Sequence, residues 1–300
     1  MKKFLLAGLL FLSSLAVGSE PIKLSFNPEK GAKYEYRIEM TQNVKQNIMG
    51  QDVPMETKMN TMFLMEIVDK TAQEIQMQVA YQELEYLLSS KVMKIKYNSK
   101  SKVKNPTKME EMFDKMFSAL IGKPFRAAVS PDGSVTSVIG VDAISENMLR
   151  AVADDGPQAA QAGAAMKQQF SDAAVKDMFE KSLKIYPSYE IKTGDSWNSE
   201  IAGAMNNMNT SVKTKYTLKE VKGNRATIAV ESDIKMDPDE SMEGRLAGTQ
   251  TGTQIIDTKT GMLISGNVSQ NVKGSLEAQG VSSQMELITK VKTSIKEVKR

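Results

Sequence analysis

The sequence lacks two residue types on which much protein chemistry depends. It contains no cysteine and no histidine among 300 residues. The absence of cysteine excludes disulfides, thiol catalysis, iron–sulfur clusters and lipid attachment to a cysteine behind an export signal. The absence of histidine removes the commonest general base and the commonest transition-metal ligand. We therefore expect a fold stabilised by an ordinary apolar core, with no cofactor.

Aromatic residues and net charge are also scarce. Aromatic side chains make up 6% of the chain, with one tryptophan, and 39 basic residues nearly balance 36 acidic ones. Charges of both signs are interspersed, unlike the basic footprint of a nucleic-acid-binding surface, so no nucleic-acid partner is expected. A hydrolase would need a pair of positioned carboxylates, and the sequence singles out no such pair. We therefore expect a protein that is not an enzyme.

The N-terminus has the three parts of an export signal. Residues 1–3 are basic, residues 4–15 are apolar, and residues 16–18 are the small residues that a signal peptidase recognises. The apolar run is too short to span a bilayer, and no later run is long enough. We predict that residues 1–18 are a cleaved signal peptide. The mature chain is expected to be a soluble periplasmic or extracellular protein, not a lipoprotein, without a transmembrane segment.

Most of the remaining sequence alternates apolar and polar residues with the period of a β-strand. Such runs begin near Ala32, Met59 and Ile75, and the pattern resumes after Gly194. Turn sequences separate the runs, as in antiparallel meanders that have one solvated face. The Gly/Thr-rich stretch 243–253 is predicted to be a loop.

One strongly amphipathic helix is predicted over residues 109–121. Gly122 and Pro124 end it, and its charged side chains lie on the opposite face. Seven apolar residues at steps of three and four form its apolar face. They are the candidate apolar pocket: Met109, Met112, Phe113, Met116, Phe117, Leu120 and Ile121.

These elements predict an α+β fold, mostly β, with one or two curved antiparallel sheets wrapped around amphipathic helices. The predicted units are an N-terminal β-meander over residues 19–140, a helical connector over 141–187 and a C-terminal antiparallel β unit over 188–300. The two β halves align at an offset of 153, which pairs Met59 with Val212, for example. Two explanations stay open, namely an internal duplication and a chance match between two alternating patterns.

Methionine is the unusual feature of the composition, with 21 residues. Thioethers are soft ligands for Cu(I), so copper binding is one functional interpretation. However, Met112 and Met116 are interleaved with Phe113 and Phe117, which is a packing pattern, and methionine fills irregular apolar spaces. We therefore expect no metal, and an adaptable apolar core or pocket instead.

Several short motifs occur together along the chain. They are the segments 30–34, 122–125, 131–133, 140–142 and the Gly-Asp-Ser-Trp sequence at 194–197. With these motifs the mature chain resembles an uncharacterised family of exported bacterial proteins, a domain of unknown function. The resemblance implies export and a β-rich fold, and it brings no activity or site residues. The predicted architecture is also loosely similar to periplasmic lipoprotein carriers, in which a curved sheet closes over helices and holds acyl chains.

Two functions remain open from the sequence. The first is a non-enzymatic cell-envelope protein that binds an apolar ligand or lipid between sheet and helix, with the residues of 109–121 as its pocket. The alternative is a structural or protein-interaction module of the envelope that has no small ligand. In that case the sheet edges and the 243–253 loop would contact another envelope protein.

Overall fold

The computed structural model describes most of the chain after the predicted signal peptide. The described residues are 20–48, 50–153, 156, 161, 163–164, 167, 170–205, 208–238, 243–278 and 281–298. The predicted signal peptide lies outside them, as does much of the middle of the predicted helical connector. Within the described part of the chain, no helix is both long enough and apolar enough to cross a membrane.

Twelve strands and three helices make up the regular structure of the described residues. In chain order they are β1 (Lys33–Ile48), β2 (Gln51–Lys70), β3 (Ile75–Ser90), β4 (Lys94–Asn98), α1 (Lys108–Ser118), β5 (Pro124–Val129), β6 (Val135–Ile139), α2 (Val141–Arg150), α3 (Asp172–Leu183), β7 (Ser196–Met205), β8 (Met208–Lys222), β9 (Arg225–Pro238), β10 (Glu243–Asp257), β11 (Leu263–Ala278) and β12 (Val281–Glu297).

All twelve strands belong to one open antiparallel sheet. Its order is β6-β5-β3-β2-β1-β12-β11-β10-β9-β8-β7, and β4 also pairs with β3, beyond the end of β5. Strand β1 pairs with β12 along its length, from Tyr34 opposite Glu297 to Ile48 opposite Ser283. The first and last strands of the chain therefore join the two meanders.

The predicted α+β class, with sheets wrapped around amphipathic helices, is wrong. The protein is mostly β, and the described helices are three short ones that pack mainly beside β4 and β6. The reason is the pairing of β1 with β12, which merges two predicted sheet units into one large sheet, of which the described helices cover only a part. The predicted unit boundaries at residues 140 and 187 stay predictions.

The predicted loop over 243–253 is also wrong, because this stretch lies in strand β10 between β9 and β11. Its glycines are required by close packing of the backbone rather than by a turn. A Cβ atom on Gly248 would lie 1.9 Å from the Asn271 carbonyl oxygen on β11, and one on Gly252 would lie 2.3 Å from that of Asn267. A glycine-rich run can therefore be a strand where a neighbouring backbone approaches closely.

The two meanders share the geometry of their central hairpin. Ile67 of β2 pairs with Met77 of β3, and Leu218 of β8 pairs with Ile228 of β9, in each case next to a β-bulge. Each residue of the second pair stands 151 positions after its counterpart, so the offset of 153 is wrong by two. Alternation alone has a period of two and does not fix a register, whereas the bulge does.

We define the inner face of the sheet as the one that carries Tyr36, Ile38 and Met40 of β1. The largest apolar cluster lies here, between the helices and strands β1 to β6. The segment before β1 covers part of this face and contacts the turn between β5 and β6. The Phe26 N–H donates to the Pro131 carbonyl at 2.8 Å, and Phe26 is 1% exposed.

Candidate apolar ligand site

The structure places the seven predicted pocket residues in and just after α1. Four of them are buried, namely Met112, Met116, Phe117 and Leu120. Phe113 and Ile121 are half-buried, and Met109 is 41% exposed. The helix face is therefore a packed surface, from which Met109 projects into solvent.

Aromatic side chains fill the space beneath α1. The ring of Phe117 lies 5.0 Å from that of Tyr97 and 5.4 Å from that of Phe113, and Phe113 stacks on Tyr86 at 5.8 Å. Aromatic contacts at these distances add to the free energy of burial. The apolar face of α1 is therefore part of the hydrophobic core.

A capping box fixes the start of α1 against strand β4. The Thr107 hydroxyl accepts a hydrogen bond from Glu110 N, and the Glu110 carboxylate accepts from Thr107 N at 2.9 Å and from Lys96 N at 3.0 Å. The hydrogen bond from the Thr107 backbone is the largest of the causes that lower the pKa of Glu110. The ionised carboxylate therefore ties the helix to the sheet.

A separate cavity of about 110 Å³ lies beneath α3. Its sheet wall is formed by Tyr36 and Ile38 of β1, Phe63 and Met65 of β2, and Val79 of β3. These side chains share the inner face because their positions alternate along paired strands. The cavity thus lies over the centre of the sheet rather than under α1.

The opposite wall comes from α3 and the chain just after it. Met178, Phe179 and Leu183 project from the helix, and Ile185 and Tyr186 come next in the chain. Phe179 and Leu183 are four residues apart, and Met178 directly precedes Phe179, so the three helical members lie on the same side of α3. In the sequence, Met178 and Leu183 lie on an apolar stripe within the helical connector predicted over 141–187, so this wall of the cavity is partly visible from the sequence.

Helices α2 and α3 cap each other and so hold α3 in place. The Asp172 carboxylate accepts a hydrogen bond from Val141 N at 2.7 Å, and the Asp142 carboxylate accepts from Asp172 N at 3.0 Å. The Ser171 hydroxyl accepts a further bond from Ala174 N at 3.1 Å. These caps satisfy backbone N–H groups at both helix starts.

The remaining wall comes from the second half of the sheet and the N-terminal segment. It consists of Gln254, Met262, Leu263, Ile295 and Phe26. None of these positions stands out in the sequence, since they are far apart in the chain and meet only through the pairing of β1 with β12. Sequence reasoning therefore missed this part of the site.

The tyrosines of the cavity wall are neutral and internally hydrogen-bonded. Burial raises the pKa of Tyr36 to about 12, although a hydrogen bond with Thr293 opposes the shift. Burial also raises the pKa of Tyr186, whose hydroxyl donates to the Gly261 carbonyl at 2.8 Å. Sixteen described residues line the cavity, and none of these sixteen is charged.

A larger groove of about 780 Å³ lies across strands β7 to β10 on the outer face. Charges of both signs border it, and Lys213 bridges to Glu200 at 3.3 Å with both side chains more than half exposed. The residues with inner-face side chains just before and just after this stretch of each strand do not line the groove. The groove therefore lies on the outer, solvated face of the sheet. It is an open surface of paired charges and not an enclosed site.

The carboxylates with resolved pKa shifts do not resemble a catalytic pair. The pKa values of Asp69, Glu83, Asp132 and Glu286 are lowered, in each case chiefly by a hydrogen bond. A general acid needs the opposite shift. Within the described residues, no group of three or more acidic side chains is arranged to hold a metal ion.

The structure thus defines a β protein with one open twelve-stranded sheet and an apolar cavity between its inner face and a helix. The profile described as "Family of unknown function (DUF6263)" matches residues 72–263. Because this match covers more than half of the chain, the protein belongs to that family. The expectation of an uncharacterised family is confirmed at this level, whereas export and a family-wide Gly-Asp-Ser-Trp element stay predictions. No curated protein matches the chain.

Solved structures are similar only distantly. A structure titled "Lipid-protein interactions in lipovitellin" has a TM-score of 0.47 and 8% identity, covering 91% of this chain and 26% of that one. The chain therefore spans about a quarter of that protein. Pseudomonas aeruginosa OccK7 has a TM-score of 0.23 and 5% identity, covering 90% and 100%. A DUF1329 family protein from Desulfovibrio piger has a TM-score of 0.14 and 8% identity, covering 84% and 83%. At these scores the likenesses carry no argument.

Proposed function

We propose that this protein is a non-enzymatic binding protein of the cell envelope. Its ligand is the apolar chain of a lipid, held in the cavity between α3 and the inner face of the sheet. The observation that carries the proposal is the partly open cavity of about 110 Å³, whose described lining residues carry no charge. Protein interiors are usually packed without voids larger than a water molecule, so a cavity of this size needs a reason.

The size of the cavity allows an estimate of what occupancy contributes. A closed apolar void of 110 Å³ costs about 2–3 kcal/mol at roughly 24 cal/mol per Å³, which is the upper bound for this partly open cavity. Engineered apolar cavities of similar size stay dry and bind small apolar molecules. The end of an acyl chain would recover much of this cost. The volume suits the end of one chain rather than a whole lipid.

The inner face offers a path for the rest of the chain. Beyond Ile38, the next inward positions on neighbouring strands are Met40, Val291 and Val268, which stand opposite one another and are half-buried. The described helices pack mainly beside β4 and β6, away from these strands. An apolar stripe therefore continues from the cavity along β1, β12 and β11.

The test begins with the purified full-length protein. Native mass spectrometry and organic extraction are expected to recover a lipid. After its removal, the apolar fluorophore N-phenyl-1-naphthylamine should bind at one site. Ile38→Phe should reduce binding at least tenfold, because Ile38 lines the cavity and the larger ring fills it. Glu39→Phe is the control on the same strand, because Glu39 is exposed on the outer face, away from the cavity and the stripe, and this variant should retain binding.

Failure to recover a lipid, together with absence of fluorophore binding to the emptied protein, would contradict the proposal. The structural or interaction module without a small ligand would then be the better interpretation. Equal loss of binding in both phenylalanine variants would also contradict it, because the cavity would then not be the site.

A further inference from the structure

One polar side chain in the cavity wall has an atom without a hydrogen-bond partner. Gln254 Oε1 is buried and, within the part of the chain described, accepts no hydrogen bond. The hydroxyl groups of Tyr36, Ser182 and Tyr186, which also line the cavity, are each bonded within the protein. Native proteins pair almost all buried polar atoms, so this carbonyl calls for a partner that the chain does not supply.

The neighbouring strand makes room for this side chain. Gln254 pairs with Gly266 of β11, and a Cβ atom on Gly266 would lie 3.6 Å from Gln254 Cγ. Since Gly266 has no side chain, the Cγ atom of Gln254 lies beside its backbone, and Thr293 of β12 stands opposite Gly266 on its other side. Gln254 lines the cavity, and rotation about its last side-chain torsion turns the buried amide oxygen towards a ligand there.

The chemistry of the wall limits what the partner of Gln254 can be. The described residues of the wall include no acidic and no basic side chain, so an ionised head group would meet no counter-charge among them. The amide oxygen accepts a hydrogen bond and does not donate one. A partner that fits both conditions is uncharged and carries a hydroxyl or an amide N–H.

We propose that Gln254 Oε1 anchors the head of the bound ligand, which is a neutral single-chain amphiphile with a hydroxyl or amide N–H donor. This inference rests on the proposed lipid-binding function and narrows its ligand class. The donor group meets Gln254, and the end of the alkyl chain occupies the cavity beneath α3. A fatty acid in its ionised form lacks the donor and brings an unpaired charge.

The test uses three ten-carbon ligands that displace N-phenyl-1-naphthylamine from the emptied full-length protein at pH 8. The first is 1-decanol, the second its methyl ether, which lacks the donor, and the third decanoate, which is ionised. Decanol is expected to bind about tenfold more tightly than either of the others, since one hydrogen bond in a dry site has about this effect.

The variant Gln254→Leu removes the acceptor at similar volume. It should lower the affinity for decanol about tenfold and leave the affinity for the ether unchanged, so that the two affinities become equal. The unliganded variant should be no less stable than the wild type, because it loses an unpaired buried atom rather than a bond. Gln250→Leu is the matched control on the same strand and face, where the amide donates to Ser232 Oγ. It should keep the preference for decanol.

Two results would overturn the inference while leaving the proposed function intact. The first is that the wild type binds decanol and its ether with equal affinity and that Ile38→Phe binds neither ligand. The other is an unchanged decanol preference in Gln254→Leu. If neither ligand nor the fluorophore binds the emptied protein, the proposed function fails, and the inference fails with it.

Discussion

The two halves of the sheet begin alike and then diverge. The Gly31 N–H donates to the Ile67 carbonyl at 2.8 Å, and the Gly194 N–H donates to the Leu218 carbonyl at the same distance. Both glycines have positive φ, and each precedes a hairpin with a bulge at the equivalent place. The halves differ in the course of the chain after the third strand. Strand β3 leads through β4 into α1, whereas β9 leads directly into β10.

This difference shows how one sheet can be covered in two ways. The first half carries aromatic and methionine side chains on its inner face and packs them against helices. The second half has a smaller cluster around Trp197, whose ring stacks on Tyr216 at 5.5 Å and whose Nε1 donates to the Ile185 carbonyl at 2.8 Å. Ile185 lies just after the end of α3. The chain after α3 therefore packs against both halves, and the cavity lies where the two kinds of cover meet.

The largest expected effect tests whether α1 is a structural contact of the first half or a binding site. Phe117→Ala should destabilise the protein by about 3–5 kcal/mol, because a buried ring with three aromatic neighbours is removed. Urea denaturation followed by far-UV circular dichroism measures the loss. Fluorophore affinity per folded molecule should not change, since Phe117 does not line the cavity.

A loss of fluorophore affinity in folded Phe117→Ala would reverse this assignment. The residues of 109–121 would then form the binding site, as the sequence-based hypothesis holds. Met109→Ala is the control on the same helix, because this side chain is 41% exposed and its removal should cost less than about 1 kcal/mol.

The next effect compares equivalent turns of the two halves. Gly133 in the β5–β6 turn and Gly261 in the β10–β11 turn both have positive φ, and a Cβ on either would lie 2.0 Å from a backbone oxygen. The oxygen belongs to Leu183 in the first case and to Ser25 in the second. Alanine at either glycine should cost about 2–4 kcal/mol, from backbone strain together with the displaced neighbour.

Gly223→Ala supplies the matched control for these turns. Gly223 also has positive φ, but no atom lies within 4 Å of its added Cβ, so only backbone strain of about 1 kcal/mol is expected. Thermal denaturation of the three variants under identical conditions gives the comparison. Equal shifts for all three would show that the contacts to Leu183 and Ser25 contribute nothing.

Sequence predicts the local elements of this fold well and its long-range pairings poorly. Alternation from Ala32 onward predicts β1, and spacing of apolar residues predicts a helix close to the observed α1. The pairing of β1 with β12 joins Gln42 to Thr289, 247 residues apart, and no local pattern encodes it. The cavity depends on that pairing, so only its helical side, through Met178 and Leu183, is visible in the sequence.

The smallest effect tests the anchor that attaches α1 to the first half of the sheet. Glu110→Gln should cost about 1 kcal/mol at pH 7, because the ionised carboxylate accepts from Thr107 N and Lys96 N. Its pKa is lowered in the folded protein from an ordinary value of 4.5, so the fold favours the ionised form. The contribution is therefore complete above pH 4.5 and is lost as the pH falls through the lowered pKa. Urea titrations at pH 7 and at pH 3 should show that the difference in unfolding free energy between wild type and variant is smaller at the lower pH.

Glu111→Gln, in the same helical turn but exposed, is the control and should change stability by only a few tenths of a kcal/mol. A constant difference at both pH values would mean that the Glu110 charge does not hold the helix, and the covered half of the sheet would then depend on its aromatic packing alone.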